Sequence, residues 1–202
     1  MKCIFVCGIV LFGLKWTAQA SSATYTFSGT GTGSLGSIPF SDVIFTITST
    51  ADTTNIRLGA PFGSWVVPDF AATVFVAGVG NATFSIPTQT FINFEVGGAG
   101  ITAPNQNIDI LGIKNSAFYS YNLNPPQGYT LSSSVSQVTG PAYIASPSMG
   151  FTFDTTAGAL RLTSVSSVSY QADVVPEPSI YALLGMGLIG FTFLERVMRH
   201  EA

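Results

Sequence analysis

The amino-acid sequence predicts an all-β domain, an antiparallel β-sandwich or jelly-roll-like fold, between an N-terminal signal peptide and a C-terminal single transmembrane helix. From residue 21 to residue 174, short runs alternate apolar and polar side chains, and Gly, Pro or Asn residues separate the runs. Before the C-terminal segment, no apolar pattern of helical period extends beyond two turns. Many short strands with this punctuation are typical of sandwiches and jelly rolls. We therefore divide the chain into residues 1–20, 21–174 and 175–202.

The first segment has the three parts of a secretory signal peptide. Lys2 gives it a charged start, and an apolar run follows at residues 3–14. This run is too short to span a bilayer core, which needs about 20 residues. Ala18 and Ala20 place small side chains at the two positions that signal peptidase reads. We expect signal peptidase to cleave after Ala20, so that the mature chain starts at Ser21.

The middle segment is predicted to contain about ten short strands. Alternation of apolar and polar side chains marks residues 24–28, 43–48, 82–86, 92–96, 151–162 (with a turn at 154–158) and 168–174. Gly80-Asn81 is predicted to form a tight hairpin turn. Residues 98–107 and 122–137 are rich in Gly, Pro, Asn and Ser and are predicted to be loops. Loops on a rigid β-domain are where ligand contacts are most often found.

Residues 31–36 match the dinucleotide-binding pattern G-x-G-x-x-G as a string of letters. In that motif the glycine loop opens a helix whose N-terminus meets the pyrophosphate. Here the string leads into another predicted strand, so we interpret it as a hairpin connection. No cofactor is predicted.

The composition of residues 21–175 excludes several classes of function. Three basic residues stand against seven acidic ones, a net charge of −4, which argues against a nucleic-acid partner. The sole histidine, His200, and both cysteines lie outside this segment. The exported domain therefore has no imidazole for a Ser-His triad and no ligands for a zinc site.

Carboxylates are the remaining candidates for chemistry. Glu95 and Asp109 form the nearest candidate pair for glycoside hydrolysis, with solvated strand residues as the alternative interpretation. Asn105, Asn107 and Asp109 recur at every second position, as oxygen ligands do in calcium loops, but Ile110 stands where such a loop needs glycine. An Asx-rich turn is the simpler interpretation. We predict no enzyme and no metal site.

Aromatic residues in turn-rich contexts give the one hint of ligand binding. Trp65, Tyr119, Tyr121 and Tyr129 are candidate carbohydrate contacts, because planar side chains in loops can stack on sugar rings. The alternative is that these side chains fill the ends of the β-domain as part of its core.

The last segment divides into a motif at residues 175–179, a transmembrane helix at residues 180–198 and a basic tail at residues 199–202. Fifteen apolar residues from position 180 span only about 22 Å, and the residues that follow lengthen the helix. The predicted membrane anchor consists of Ile180, Leu183, Leu184, Leu188, Ile189, Phe191, Phe193 and Leu194.

Residues at both ends of the apolar run define its limits and its orientation. Pro176 and Pro178 hold the entry extended, and Glu177 lies near the positive end of the helix that follows. Arg196 and Arg199 form a basic stop that favours a cytoplasmic C-terminus. The domain before the motif is therefore expected outside the cytoplasm.

A Pro-Glu-Pro triplet, a short Gly- and Leu-rich span and an Arg-containing end together resemble the PEP-CTERM sorting signal. The resemblance covers about thirty of the 202 residues. It implies that Pro176, Glu177 and Pro178 are the sorting motif, and that an exosortase-like membrane protease is the partner that processes it. It also implies a Gram-negative bacterium that makes exopolysaccharide.

The expected function follows from this resemblance. The precursor is anchored in the inner membrane and then reaches the cell surface or extracellular matrix. There the domain is a structural or interaction component of an exopolysaccharide or biofilm layer, with exopolysaccharide as a partner. A carbohydrate-binding module is the alternative, and a secreted glycosidase is a further one.

Overall fold

A computed structural model describes residues 20–59, 63–119, 128–144 and 150–176. These residues form eleven β-strands and two single 3-10 turns, at Thr53–Asn55 and Ser116–Phe118. The strands are β1 (Ala20–Leu35), β2 (Ile38–Asp52), β3 (Arg57–Leu58), β4 (Ser64–Val76), β5 (Gly80–Thr83), β6 (Gln89–Asn93), β7 (Gly98–Ala103), β8 (Ile108–Lys114), β9 (Val135–Ile144), β10 (Phe153–Thr155) and β11 (Gly158–Pro176).

Eight of these strands close into an antiparallel barrel in the order β1-β2-β4-β6-β7-β8-β9-β11, and β11 pairs with β1. The short strands β3 and β5 pair with β4, and β10 pairs with β11. The prediction of an antiparallel all-β domain is confirmed. The prediction of a sandwich or jelly roll is wrong, because pairing of the first and last long strands removes the open edges that a sandwich would keep.

Glycines allow the closing strands to approach each other. A Cβ atom on Gly29 would lie 2.6 Å from the carbonyl oxygen of Ser167, and one on Gly31 would lie 2.9 Å from that of Ser164. A Cβ atom on Gly33 would likewise overlap the backbone of β11. Side chains at these three positions would therefore hold β1 and β11 apart.

The two halves of strand β4 pair with different strands of the barrel wall. Its residues 64–68 pair with β6, and its residues 71–76 pair with β2 and β5. The register with β2 shifts by one residue near Phe70, which is 69% exposed. Such a bulge bends a strand and increases its twist, and both help a strand to follow a curved wall.

The barrel core follows the predicted alternation. On β1, Tyr25 and Phe27 are buried, and the polar residues that alternate with them, Thr24, Thr26 and Ser28, are half-buried. Phe45 and Ile47 on β2 and Tyr170 on β11 join the same core. The period-2 pattern therefore assigned the inward face of these long strands correctly.

Several local predictions are corrected. Residues 98–103, expected in a loop, form β7, and residues 31–35, expected in a hairpin connection, belong to β1. The hairpin predicted at Gly80-Asn81 turns earlier, at residues 77–79, and Gly80 begins β5. The turn predicted within 154–158 is confirmed, because β10 ends at Thr155 and β11 begins at Gly158.

The predicted signal peptide lies outside the described residues, except for Ala20, which begins β1. The predicted anchor at residues 180–198 and the basic stop at Arg196 and Arg199 lie outside them as well. Within the described ranges, there is no helix with the length and apolar character needed to cross a membrane.

Candidate functional site

The predicted sorting motif begins where the barrel ends. Pro176 is the last residue of β11, and Glu177 and Pro178 lie outside the described residues. The predicted boundary at residue 174 therefore falls within the last strand, which continues for two more residues. The proline at the end of β11 suits this place, since it has no N–H group to donate to a strand ladder.

Pairing with β9 weakens just before the motif. The last backbone pair between these strands joins Ala172 to Val135. Two residues later, the Val174 N–H donates to the Ser134 hydroxyl at 3.0 Å rather than to a strand backbone. Val175 is 63% exposed. Pairing with β9 thus ends before the Pro-Glu-Pro triplet, although β11 itself continues to Pro176.

The aromatic residues predicted to contact carbohydrate occupy different environments. Trp65 is only partly exposed and packs against the core, and its indole nitrogen is buried without a hydrogen-bond partner among the described residues. Tyr119 is 43% exposed and its ring lies over Gly97. Tyr121 lies outside the described residues.

Tyr129 packs in an aromatic cluster against the core. Its ring lies near Phe118 and Tyr170, with ring centroids 6.3 and 6.1 Å away. Its hydroxyl is 3.0 Å from the Tyr170 hydroxyl, and burial raises the pKa of Tyr129 to about 12. Tyr25 stacks with Tyr170 at a centroid distance of 6.5 Å, and its hydroxyl donates to the Leu131 carbonyl at 2.7 Å. This environment matches the alternative interpretation of Tyr129 as a core side chain.

The two carboxylates considered for glycoside hydrolysis do not meet. Glu95 lies in the turn before β7, and Asp109 lies on β8 opposite Thr102, near the far end of β7. At about 3.3 Å per residue, the length of β7 separates them by roughly 15–20 Å. A pair of catalytic carboxyl groups needs a spacing of about 5–9.5 Å.

A polar groove of about 480 Å³ opens on the outer face of β3, β4, β6, β7 and β8. Its lining includes Gln89, Phe91, Asn93, Thr102, Asn107 and Asp109, and we call it the outer groove. Ile92 belongs to the barrel core, so its neighbours on β6 face outward. The volume lies in the range of small-molecule sites.

Phe91 lies over the sheet beneath this groove. It pairs with Gly100 on β7, and a Cβ atom there would come within 2.6 Å of its ring. Gly112 on β8 lies opposite Gly100. The ring of Tyr143, which pairs with Gly112 from β9, covers Gly112. Two glycines in register thus let two aromatic rings rest against the strand backbones.

Polar side chains flank the ring of Phe91 in rows set by strand register. Gln89 pairs with Thr102, and Thr102 pairs with Asp109. On the other side, Asn93 pairs with Ser64. Burial raises the pKa of the Asp109 carboxyl, and the Thr102 side chain partly offsets this effect.

Several polar groups of the outer groove have no partner in the described part of the chain. The Asn93 Oδ1 atom accepts from the backbone N–H groups of Glu95 and Val96 at 3.0 and 3.3 Å, and its NH₂ group has no partner among the described residues. The side-chain amides of Gln89 and Asn107 and the Arg57 guanidinium likewise bond to no described residue. These groups are available to a ligand.

In the sequence, Asp109 was a candidate for a catalytic pair, and Asn107 and Asp109 were candidates for a calcium loop; solvated strand residues and an Asx-rich turn were the alternatives. The structure instead places both at the outer groove. Among the described residues, no three His, Cys, Asp or Glu side chains lie close enough together to hold a metal ion. The other groove residues belong to separate strands, so no local pattern joined them.

Comparisons with known proteins bear on the C-terminal segment. Residues 174–197 match the model of the PEP-CTERM protein-sorting motif, which confirms the resemblance and supports export and sorting by an exosortase system. No curated protein matches the chain. The structure of DynF from the dynemicin biosynthesis pathway of Micromonospora chersina covers 79% of this chain and 82% of its own, at 10% identity and a TM-score of 0.34. A likeness this low supports no functional argument.

Proposed function

We propose that this protein is exported by its N-terminal signal, held in the inner membrane by its C-terminal helix and processed at Pro176-Glu177-Pro178 by an exosortase-like protease. The mature barrel then resides at the cell surface or in the extracellular matrix of a Gram-negative bacterium. The match of residues 174–197 to the PEP-CTERM model carries this proposal. The end of β11 supports it, since pairing with β9 ends at Ala172 and Val175 is exposed beside the triplet.

In the matrix, the barrel acts by binding rather than by catalysis. The candidate carboxylates Glu95 and Asp109 lie too far apart to act on one glycosidic bond. The outer groove, in contrast, presents unbonded amide groups beside an aromatic ring, which are features of sites that hold polar ligands. We therefore propose a structural or interaction component of an exopolysaccharide or biofilm layer.

Cell fractionation in the native host tests the sorting step. The triple variant Pro176→Ala, Glu177→Ala, Pro178→Ala is expected to remain in the membrane fraction, because the protease loses its recognition triplet. The wild-type chain is expected in the surface or extracellular fraction. Glu195→Ala is the control, since it removes an acidic residue from the same segment and leaves the triplet intact. Equal distribution of wild type and triple variant would contradict the proposal.

A further inference from the structure

The outer groove lies outside the segment that directs sorting. It is built mainly from residues of β3, β4, β6, β7 and β8 and of the turn before β8, and none of its lining residues belongs to the sorting motif. In strand register, Arg57, Val66, Phe91 and Gly100 form one row across the sheet. Polar rows lie on both sides of it. An elongated ligand that follows these rows meets one aromatic ring between two lines of hydrogen-bonding groups.

The hydrogen-bonding groups point to a ligand rich in hydroxyls. A hydroxyl group both donates and accepts, and a side-chain amide offers a matching donor and acceptor pair. Gln89 and Asn107 provide complete amides without described partners, and Asn93 provides an NH₂ group whose position is fixed by the two bonds to its Oδ1 atom. Phe91 is 8% exposed and lies against Gly100, so it adds only a small apolar patch to the floor of the groove.

The charges of the groove lining and of the surrounding domain favour a neutral ligand. The lining has one cation, Arg57, and one carboxylate, Asp109, so it has no excess of either sign. The surrounding domain carries a net charge of −4, which repels polyanions. We propose that the outer groove binds a segment of a neutral glycan chain. This inference deepens the proposed role in the exopolysaccharide layer and rests on it for the class of ligand.

Binding of defined oligosaccharides to the purified full-length chain tests the inference. The neutral probes are cello-, manno- and galacto-oligosaccharides, and oligogalacturonate is the acidic comparison. We expect measurable binding to at least one neutral probe and weaker binding to oligogalacturonate. Asn93→Asp keeps the oxygen that accepts from the turn and replaces the free NH₂ group by an acceptor. It is expected to weaken binding about three- to tenfold, as loss of a hydrogen bond does.

Two matched controls separate the groove from general effects. Asn81→Asp makes the same change at an exposed position on β5, outside the groove lining. Gln89→Ala is paired with Gln171→Ala, at an exposed position on β11. The groove variants are expected to lose affinity, and the control variants are expected to keep it.

Three results would overturn the inference: no binding to any neutral probe, preferential binding of oligogalacturonate, or equal loss in groove and control variants. Because the assay uses purified protein, its outcome does not depend on processing in the host. A chain that is sorted correctly but binds no glycan would refute the groove assignment alone.

Discussion

Asp69 is a buried carboxyl group in the wall of the barrel. One of its oxygens accepts from the Thr90 hydroxyl at 2.9 Å, and Ser49 lies 2.7 Å from the same hydroxyl. The other oxygen is buried without a hydrogen-bond partner in the described ranges. Burial raises the pKa of Asp69 to about 6. The folded protein therefore retains this proton at a pH where an unfolded chain has released it.

This shift predicts a pH dependence of stability. Between about pH 4 and pH 6 the folded state binds more protons than the unfolded state, so the free energy of unfolding falls as pH rises. The total decrease from this group is roughly 3 kcal/mol. The raised pKa of Asp109 also lowers the free energy of unfolding as pH rises. Denaturant unfolding of Asp69→Asn across this range should give a free energy of unfolding that changes clearly less with pH than that of the wild type. Asp154→Asn, at an exposed position, should show the same change with pH as the wild type.

Tyr129 is expected to stabilise the fold and not to bind a ligand. Tyr129→Phe removes the hydroxyl that lies 3.0 Å from the Tyr170 hydroxyl and leaves a buried group unpaired. We expect a loss of about 1–3 kcal/mol in the free energy of unfolding and no change in oligosaccharide binding. Unchanged stability with weakened binding would instead support the carbohydrate contact predicted from the sequence.

The seam between β1 and β11 depends on the absence of side chains. Gly33→Ala should lower the free energy of unfolding by about 1–3 kcal/mol, because a methyl group there overlaps the Arg161 carbonyl. Gly98→Ala is the matched control, since a Cβ atom at Gly98 would have no neighbour nearer than the Tyr143 hydroxyl, at 3.1 Å. Equal effects of the two substitutions, measured by chemical denaturation, would contradict this account of the seam.

Strands with large alternating side chains were predictable from the sequence, and strands of small residues were not. Tyr25 and Phe27 mark β1 because each buried side chain adds to a period-2 pattern. Gly98 and Gly100 in β7 carry no such signal, so the same region was interpreted as a loop. A strand tolerates these glycines because the side chains of Phe91 on β6 and Tyr143 on β9 lie over them.

Neither the closed barrel nor the outer groove could be predicted from the sequence, and the reason is the same for both. Barrel closure pairs β1 with β11, and the groove joins Arg57 to Asp109 across several strands. Contacts between residues so distant in sequence leave no local periodicity. The sorting segment was predictable, since its residues 174–197 are contiguous and carry the motif in their order.

The protein thus combines a barrel with a sorting segment that begins at its last strand. We propose that this segment is processed after export. The most direct test is the intact mass of the mature chain recovered from outside cells of the native host. We expect a chain that begins at Ser21 and ends near Pro178. Recovery of a chain that retains residues 180–202 would contradict it, and the protein would then be membrane-anchored and unprocessed at its C-terminus.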